Sequence, residues 1–378
     1  MATLIGTPAS DTLSGTDDPD LILGRAGDDR LNGLAGDDAL LGERGGDQVT
    51  GGVGDDTILG GPDGDVVFGD GGPQQGPAPR QPGQSVPPGT PLPGNNEIGG
   101  GGGDDTLYGG YGSDTVRGGA GDDRVFGAGP GVGPTPSAAS FFNTLDGGDV
   151  LGGGAGNDRV EGGGGLDTLT GGAGDDTLWG GDGNGDRLTG GPSQDVFLFR
   201  FAEGPFPIRD TGVGEGNRDV VLDFLQGADA LDLSGYDNPF FFPSSEQPEA
   251  IFLGTGGFQA YYGLQIRYEV EDGRTVVQFY APIGTPPPDV EIPVPSAPSG
   301  EIVLAGEHAL TADDFVGLGE PVFTTLAVGE EGDDVEPDDG FATTAAIGEE
   351  GNPGFEEPVA TTAALGEEGD PDHDFWSA

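Results

Sequence analysis

Large apolar residues recur along the first half of the chain at a spacing of nine. Leu13, Ile22, Leu31, Leu40, Val49, Ile58 and Val67 form an unbroken run. Leu107, Val116 and Val125 resume it, then Leu151, Val160, Leu169 and Leu178, and after one extra residue Leu188 and Phe197. Two positions before every one of them stands an aspartate. These are Asp11, Asp20, Asp29, Asp38, Asp47, Asp56, Asp65, Asp105, Asp114, Asp123, Asp149, Asp158, Asp167, Asp176, Asp186 and Asp195. Glycine-rich composition alone does not produce that coincidence, so the repeat is real, and internal repeats outrank any local reading of propensity. Further along, residues 264–280 alternate around Glu271-Asp272-Gly273, which predicts a β-hairpin with an Asp-Gly turn. No stretch approaches the roughly 18 apolar residues of a membrane-spanning helix.

The fullest copies read GGVGDDTIL (51–59), GGAGDDRVF (118–126) and GGAGDDTLW (171–179). They resemble the RTX (hemolysin-type) calcium-binding nonapeptide, G-G-x-G-x-D-x-U-x with U a large apolar residue. The resemblance implies an all-β chain with a parallel β-roll over residues 1–199, in which six residues turn and bind calcium and three form a short strand. All sixteen aspartates are then metal ligands, and multiple calcium ions are the cofactor. The residue types suit this chemistry. Glycine accepts positive φ and lets carbonyl oxygens crowd a cation, and calcium takes six to eight oxygens from carboxylates and carbonyls. The glycine two before each aspartate is replaced at Ala9, Asp18, Asp63, Asn184 and Ser193, mostly in the first and last copies, where atypical caps are expected. Interruptions at about 69–96 and 127–146, rich in Pro and Gly, read as loops extruded from the roll. Asn96 and Ile98 read as a degenerate copy.

Charge sharpens the picture. The chain has 80 Gly, 67 acidic and 13 basic residues, no Cys and a net charge of −54. Every basic residue is Arg and none lies beyond Arg274, so binding nucleic acid through charge is not expected. Rows of aspartates on strands ~4.8 Å apart repel by ~1 kcal/mol per neighbour in water and ~3.5 kcal/mol at an effective dielectric of 20. Repeated over the roll, this rivals the roughly 5–15 kcal/mol that stabilises a domain. Calcium turns the repulsion into coordination and drives folding by binding only the folded state. Extracellular sites of about 10⁻⁴–10⁻³ M affinity fill outside a cell and stay empty in its cytosol. A secreted protein, free or at the cell surface, is therefore expected. The first residues lack the basic and apolar regions of a Sec signal. RTX proteins typically leave through a type I secretion machinery that reads the C-terminus, and that machinery is the expected partner.

Residues 200–320 have a different texture. Asp219-Val-Val-Leu-Asp223-Phe224, Gly227-Ala-Asp229-Ala-Leu-Asp232-Leu-Ser234 and Gly306-Glu-His308-Ala-Leu310-Thr-Ala-Asp313-Asp314-Phe315 resemble the segment that follows the roll in serralysin-type proteases. The resemblance implies a β-rich cap. Asp219, Asp223, Asp229 and Asp232 read either as ligands of a further calcium ion or as solvated loop acids, with the second expected. Serralysins carry an HExxH zinc motif, whereas this chain has only His308 and His373, neither with a partner four residues away. His308 reads as part of the cap structure. No His- or Cys-based catalytic site is available, and the chain is expected not to be an enzyme.

Residues 321–378 form an acidic tail, expected to be disordered, with three copies of TTxxxxEE. They are Thr324, Thr325, Glu330 and Glu331; Thr343, Thr344, Glu349 and Glu350; and Thr361, Thr362, Glu367 and Glu368. The pattern resembles the cores of plesiocin-type graspetides. That resemblance implies Thr–Glu esters made by an ATP-grasp ligase acting in trans. The main expectation is a secreted calcium-binding scaffold, with calcium-dependent self-association as one use. A carrier or precursor of an ester-crosslinked tail and an accessory module acting on extracellular polysaccharide are the alternatives.

Overall fold

Each nonapeptide gives one short strand, and successive strands go alternately to two parallel sheets. The computed structural model describes residues 1–70, 94–129, 147–182, 185–202, 208–209, 211–235, 250–261, 263–281, 294–316 and 318. One sheet begins Thr3–Ile5, Leu21–Ala26, Ala39–Arg44, Thr57–Pro62 and Glu97–Gly102, and continues through Arg187–Thr189. The other begins Thr12–Ser14, Arg30–Ala35, Gln48–Val53 and Val66–Asp70, and continues through Val196–Ala202. Neighbours within a sheet are parallel and lie two repeats apart, as in Leu21↔Ala39 and Thr168↔Arg187. The β-roll implied by the repeat is therefore the observed architecture.

The apolar residue of each copy points between the sheets. Ile22, Leu40, Val49, Ile58, Val67, Leu107, Val116, Val125, Val160, Leu169, Leu178, Leu188 and Phe197 are all fully buried in one continuous cluster. A strand can present such a column because alternate side chains face opposite ways. One large side chain per nine residues still makes a thin core. Most of the rest of each turn is glycine and polar, so the packing has little redundancy.

The interruptions do not disturb the register. Ile58 pairs with Ile98 across the first and Val116 with Leu151 across the second. Ile98 is 1% exposed and occupies the apolar column, so the degenerate copy at Asn96 is a full copy of the repeat. Residues 71–93 and 130–146, most of the two predicted loops, lie outside the described residues. Up to Asp219, each departure from the nine-residue spacing falls on a connection running from the second sheet to the first. These are the segments before Glu97–Gly102, Val150–Ala155 and Asp219–Val221, and the extra residue before Arg187–Thr189.

The sheets run through the compositional boundary at 199/200. Asp219–Val221 pairs in parallel with Arg187–Thr189, and Ala230–Gly235 with Val196–Ala202. Val221 and Leu231 are fully buried, in the role of the repeat's apolar residue. The segments GEGNRDVVL (214–222) and FLQGADALD (224–232) thus form one more turn, disguised by substituted glycines and preceded by an insertion. The first sheet then turns antiparallel through Gly300–Ala305, Arg274–Tyr280 and Gln265–Glu271. The predicted hairpin is present, with Asp272 and Gly273 at φ of 52° and 76°, the left-handed pair that matches strand twist. His308 packs edge-on to Phe224 with centroids 5.5 Å apart, and its backbone N–H donates to Thr275 Oγ1 at 2.8 Å. Met1–Phe323 make one compact unit. Thr324–Ala378 are a separate unit outside the described residues, and the Thr and Glu residues of the three TTxxxxEE copies lie there.

The thin core makes a sharp test. Leu169 is fully buried and Leu166, three residues away, is 66% exposed. In saturating calcium, Leu169→Ala should cost about 2–5 kcal/mol and lower the melting temperature by several degrees. Leu166→Ala should stay within about 0.5 kcal/mol of the unmodified chain. Thermal melts followed by circular dichroism read both.

Candidate metal centre

Fifteen of the sixteen repeat aspartates are buried at 3% exposure or less, and Asp11 is half-buried. Burying so many carboxylates requires partners for each. One oxygen is accounted for by the backbone. The N–H of each aspartate donates to Oδ1 of the residue one full turn ahead, an asparagine for Asp56 and an aspartate for the others, as in Asp20 to Asp38 at 2.7 Å and Asp29 to Asp47 at 2.8 Å. The bond spans the interruptions too, from Asp65 to Asp105 at 2.7 Å and from Asp114 to Asp149 at 2.8 Å.

Two continuous ladders result, one on each edge of the roll. The first runs Asp11, Asp29, Asp47, Asp65, Asp105, Asp123, Asp158, Asp176, Asp195, Asp229. The second runs Asp20, Asp38, Asp56, Asn96, Asp114, Asp149, Asp167, Asp186, Asp219. Asp219 and Asp229, at 1% and 3% exposure, are rungs of these ladders and not solvated loop acids. Asp223 accepts the N–H groups of Gly190 and Gly191 at 2.9 Å each, just past the end of strand Arg187–Thr189. Asp232 accepts the N–H of Ser234.

The other carboxylate oxygen decides the function. Oδ2 of Asp29, Asp38, Asp47, Asp56, Asp65, Asp105, Asp123, Asp158, Asp176, Asp186 and Asp195 is buried and has no hydrogen-bond partner. Each faces the first glycine of its own copy. A Cβ placed on Gly24 would lie 2.5 Å from Asp29 Oδ2 and 2.7 Å from the carbonyl oxygen of Gly42 in the next turn. The same pair of oxygens, a carboxylate and a next-turn carbonyl, brackets Gly33, Gly42, Gly51, Gly118 and Gly171. Glycine is required here because any side chain would fill the space between the oxygens. An anionic oxygen plus carbonyl oxygens, with no soft donor, is a hard-cation donor set. Among the described residues no three His, Cys, Asp or Glu side chains converge. A calcium ion would therefore be held by one carboxylate per turn together with backbone carbonyls.

Four rungs differ. Asp11 Oδ2 accepts Thr7 N–H at 2.5 Å and Thr7 Oγ1 at 2.9 Å, and Asp20 Oδ2 accepts Thr16 N–H and Oγ1 at 2.6 and 2.8 Å. In these first two copies threonine supplies the charge relief that later copies lack, which separates Asp11 and Asp20 from the other predicted ligands. At Asn96 the amide Nδ2 donates to the Gly109 carbonyl at 3.3 Å. Asp229 Oδ2 accepts Leu225 N–H at 2.7 Å.

Sequence reasoning missed an outer ladder. The acid before the ligand aspartate accepts from the backbone of the next turn. Asp37 accepts Asp55 N–H at 3.1 Å, Asp104 accepts Asp122 N–H at 2.9 Å, and Asp122 accepts Asn157 N–H at 2.8 Å. Its signal was present in the Asp-Asp doublets. The structure also places Arg25, Leu34 and Glu43 at φ of 85°, 83° and 74°, where later copies have glycine. Asp63 and Ser193, two of the substituted glycine positions, likewise adopt φ of 86° and 106°.

Burial pushes Asp47, Asp105, Asp186 and Asp195 up to about 6, and Asp56, Asp65, Asp123 and Asp176 up to about 7. Backbone N–H groups offset the burial only in part. A carboxyl whose folded value exceeds its unfolded value of about 3.9 stabilises the fold at low pH and loses that contribution as pH rises through the folded value. The metal-free roll should therefore become less stable between about pH 4 and 7. Calcium must displace the same protons, so its stabilising effect should shrink on acidification. With chelator present, the far-UV circular dichroism β signal should rise between pH 8 and pH 5, while the gap in that signal between calcium-loaded and calcium-free samples narrows. A gap that widens at low pH would contradict the burial described here.

The family described as the RTX calcium-binding nonapeptide repeat (four copies) matches residues 5–40, 41–73, 94–129 and 152–186. No curated protein matches the chain. Among solved structures, the AlgE6R3 subunit of the Azotobacter vinelandii mannuronan C5-epimerase is 31% identical, over 57% of this chain and 100% of that one, with a TM-score of 0.29. The AlgE6R2 subunit is 24% identical, over 53% of this chain and 91% of that one, with a TM-score of 0.23. Repeat, roll and rows of buried carboxylates agree: the chain is an RTX nonapeptide-repeat protein that binds calcium ions at multiple sites along its roll.

Proposed function

We propose that the protein is a secreted, non-enzymatic scaffold whose folding is switched on by extracellular calcium. The observation that carries this reading is the run of buried Oδ2 atoms with no hydrogen-bond partner. Without a cation those charges oppose the fold, because burying an unpaired carboxylate is costly. With calcium they become its main staples. At cytosolic calcium the chain stays extended enough to be exported by a type I secretion machinery, and outside the cell it becomes rigid. On this proposal the repeat carboxylates serve the backbone and the cation and not catalysis.

The test is a calcium titration of the full chain followed by far-UV circular dichroism. A cooperative gain of β signal is expected below about 10 mM calcium, near the top of the range of extracellular modules. Identical spectra at both ends of the titration would rule out the switch.

One feature favours a second reading, an accessory module that contacts extracellular polysaccharide. A cavity of about 450 Å³ opens beside the last turn, lined by Arg159, Arg200, Thr177, Ser234 and Asp232 with Val196, Leu198 and Val316. Arg200 also lies over the Trp179 ring, 4.6 Å from its centroid. Guanidinium, hydroxyl and carboxylate groups over an apolar floor match the hydroxyls and ring faces of a sugar. In calcium-containing affinity gels, an acidic polysaccharide should retard the protein and Arg200→Ala should lessen the retardation. Unchanged mobility of the unmodified protein would discard this reading.

A further inference from the structure

The disguised last turn ends both ladders, and it ends them differently. On one edge, Asp229 has both carboxylate oxygens engaged. Oδ1 accepts Asp195 N–H at 3.1 Å and Oδ2 accepts Leu225 N–H at 2.7 Å. On the other edge, Asp219 Oδ1 accepts two N–H groups, from Gly185 at 2.8 Å and Asp186 at 2.9 Å. The ladder is closed there by Thr211, whose Oγ1 accepts Asp219 N–H at 3.1 Å and donates to the Glu301 carbonyl at 2.6 Å. Asp219 Oδ2, in a residue 1% exposed, is buried and has no hydrogen-bond partner.

We infer that Asp219 holds a calcium ion at the junction between roll and cap, outside the nonapeptide repeats, and that Asp229 is a metal-free terminal rung. The residues matched by the repeat family end at 186, and Asp219 lies 33 residues further on. Its surroundings suit a hard cation. Asp186 Oδ2, on the preceding rung, is also buried without a partner. The carbonyl oxygen of Gly216 lies 3.4 Å from the place of a Cβ on Gly185, so the loop before Asp219 brings a neutral oxygen to the same rung. No basic side chain hydrogen-bonds Asp219, since the nearby Arg218 is committed to Glu301 at 2.7 Å. The ion would tie the loop 211–218, and through Thr211 the strand Gly300–Ala305, to the end of the roll. This inference rests on the calcium reading of the repeats.

The experiment is a count of bound calcium per full-length chain, by equilibrium dialysis and elemental analysis, for the unmodified protein, Asp219→Asn and Asp229→Asn. Asp219→Asn should bind one ion fewer and Asp229→Asn the same number as the unmodified chain. A folded Asp219→Asn variant with an unchanged count overturns the inference and leaves the repeat sites intact, whereas an unmodified chain that binds no calcium overturns the repeat reading itself. If Asp219→Asn does not fold, terbium-loaded crystals of the unmodified protein decide. An anomalous peak at Asp219 Oδ2 supports the site, and peaks confined to the repeats refute it.

Discussion

The structure depends on dividing each buried aspartate between two partners. One oxygen is spent on the backbone of the preceding turn, which fixes the pitch and keeps the chain in register through interruptions of any length. The other is left facing a carbonyl across the space that glycine leaves open. The first bond alone cannot hold the roll, because it buries a charge without neutralising it. A cation in the second position alone would not specify a coil. Together they make a chain whose register is written into the protein and whose stability is supplied from solution.

The same division explains the ends. A repeat array must stop somewhere, and its terminal copies lack a neighbour on one side. Thr7 and Thr16 give the opening rungs an internal donor in place of metal, and the Leu225 N–H does the same for Asp229 at one far end. In the middle, Asn96 solves the same problem by removing the charge altogether. These are three chemically distinct ways to finish a rung without calcium, whereas at the other far end Thr211 satisfies only the Asp219 N–H and leaves Oδ2 to an ion.

Much of this was legible in the sequence, and the reason is that the period couples ligand and core. Asp two before Leu, Ile or Val marks both the carboxylate that joins a ladder and the side chain that faces the opposite sheet, so the apolar column and the ladders were read from one pattern, with Asp11 and Asp20 set apart by Thr7 and Thr16. The last turn was illegible because its cues are weak one at a time: Gly214 keeps the motif's first place, but Glu215 and Asn217 stand where its other glycines belong, and a segment intervenes before Asp219. Only the pairing of Val220 with Arg187 and Ala230 with Val196 exposes it as a turn. The roles of Thr7 and Thr16 were hidden for a different reason. They look like simple losses of glycine, and only the geometry shows that a hydroxyl takes the place of an ion.

The confinement of extra residues to connections running from the second sheet to the first gives the roll a parity. Eighteen residues added or removed return the chain to the side it left, so everything downstream keeps its place. Nine residues, one intact copy, preserve each local turn equally well yet exchange the two sides for all that follows. The departures from the nine-residue spacing that precede Asp219, all on connections of one kind, would then be divided between connections of both kinds. A rearrangement that keeps them on one kind must therefore count its repeats in pairs.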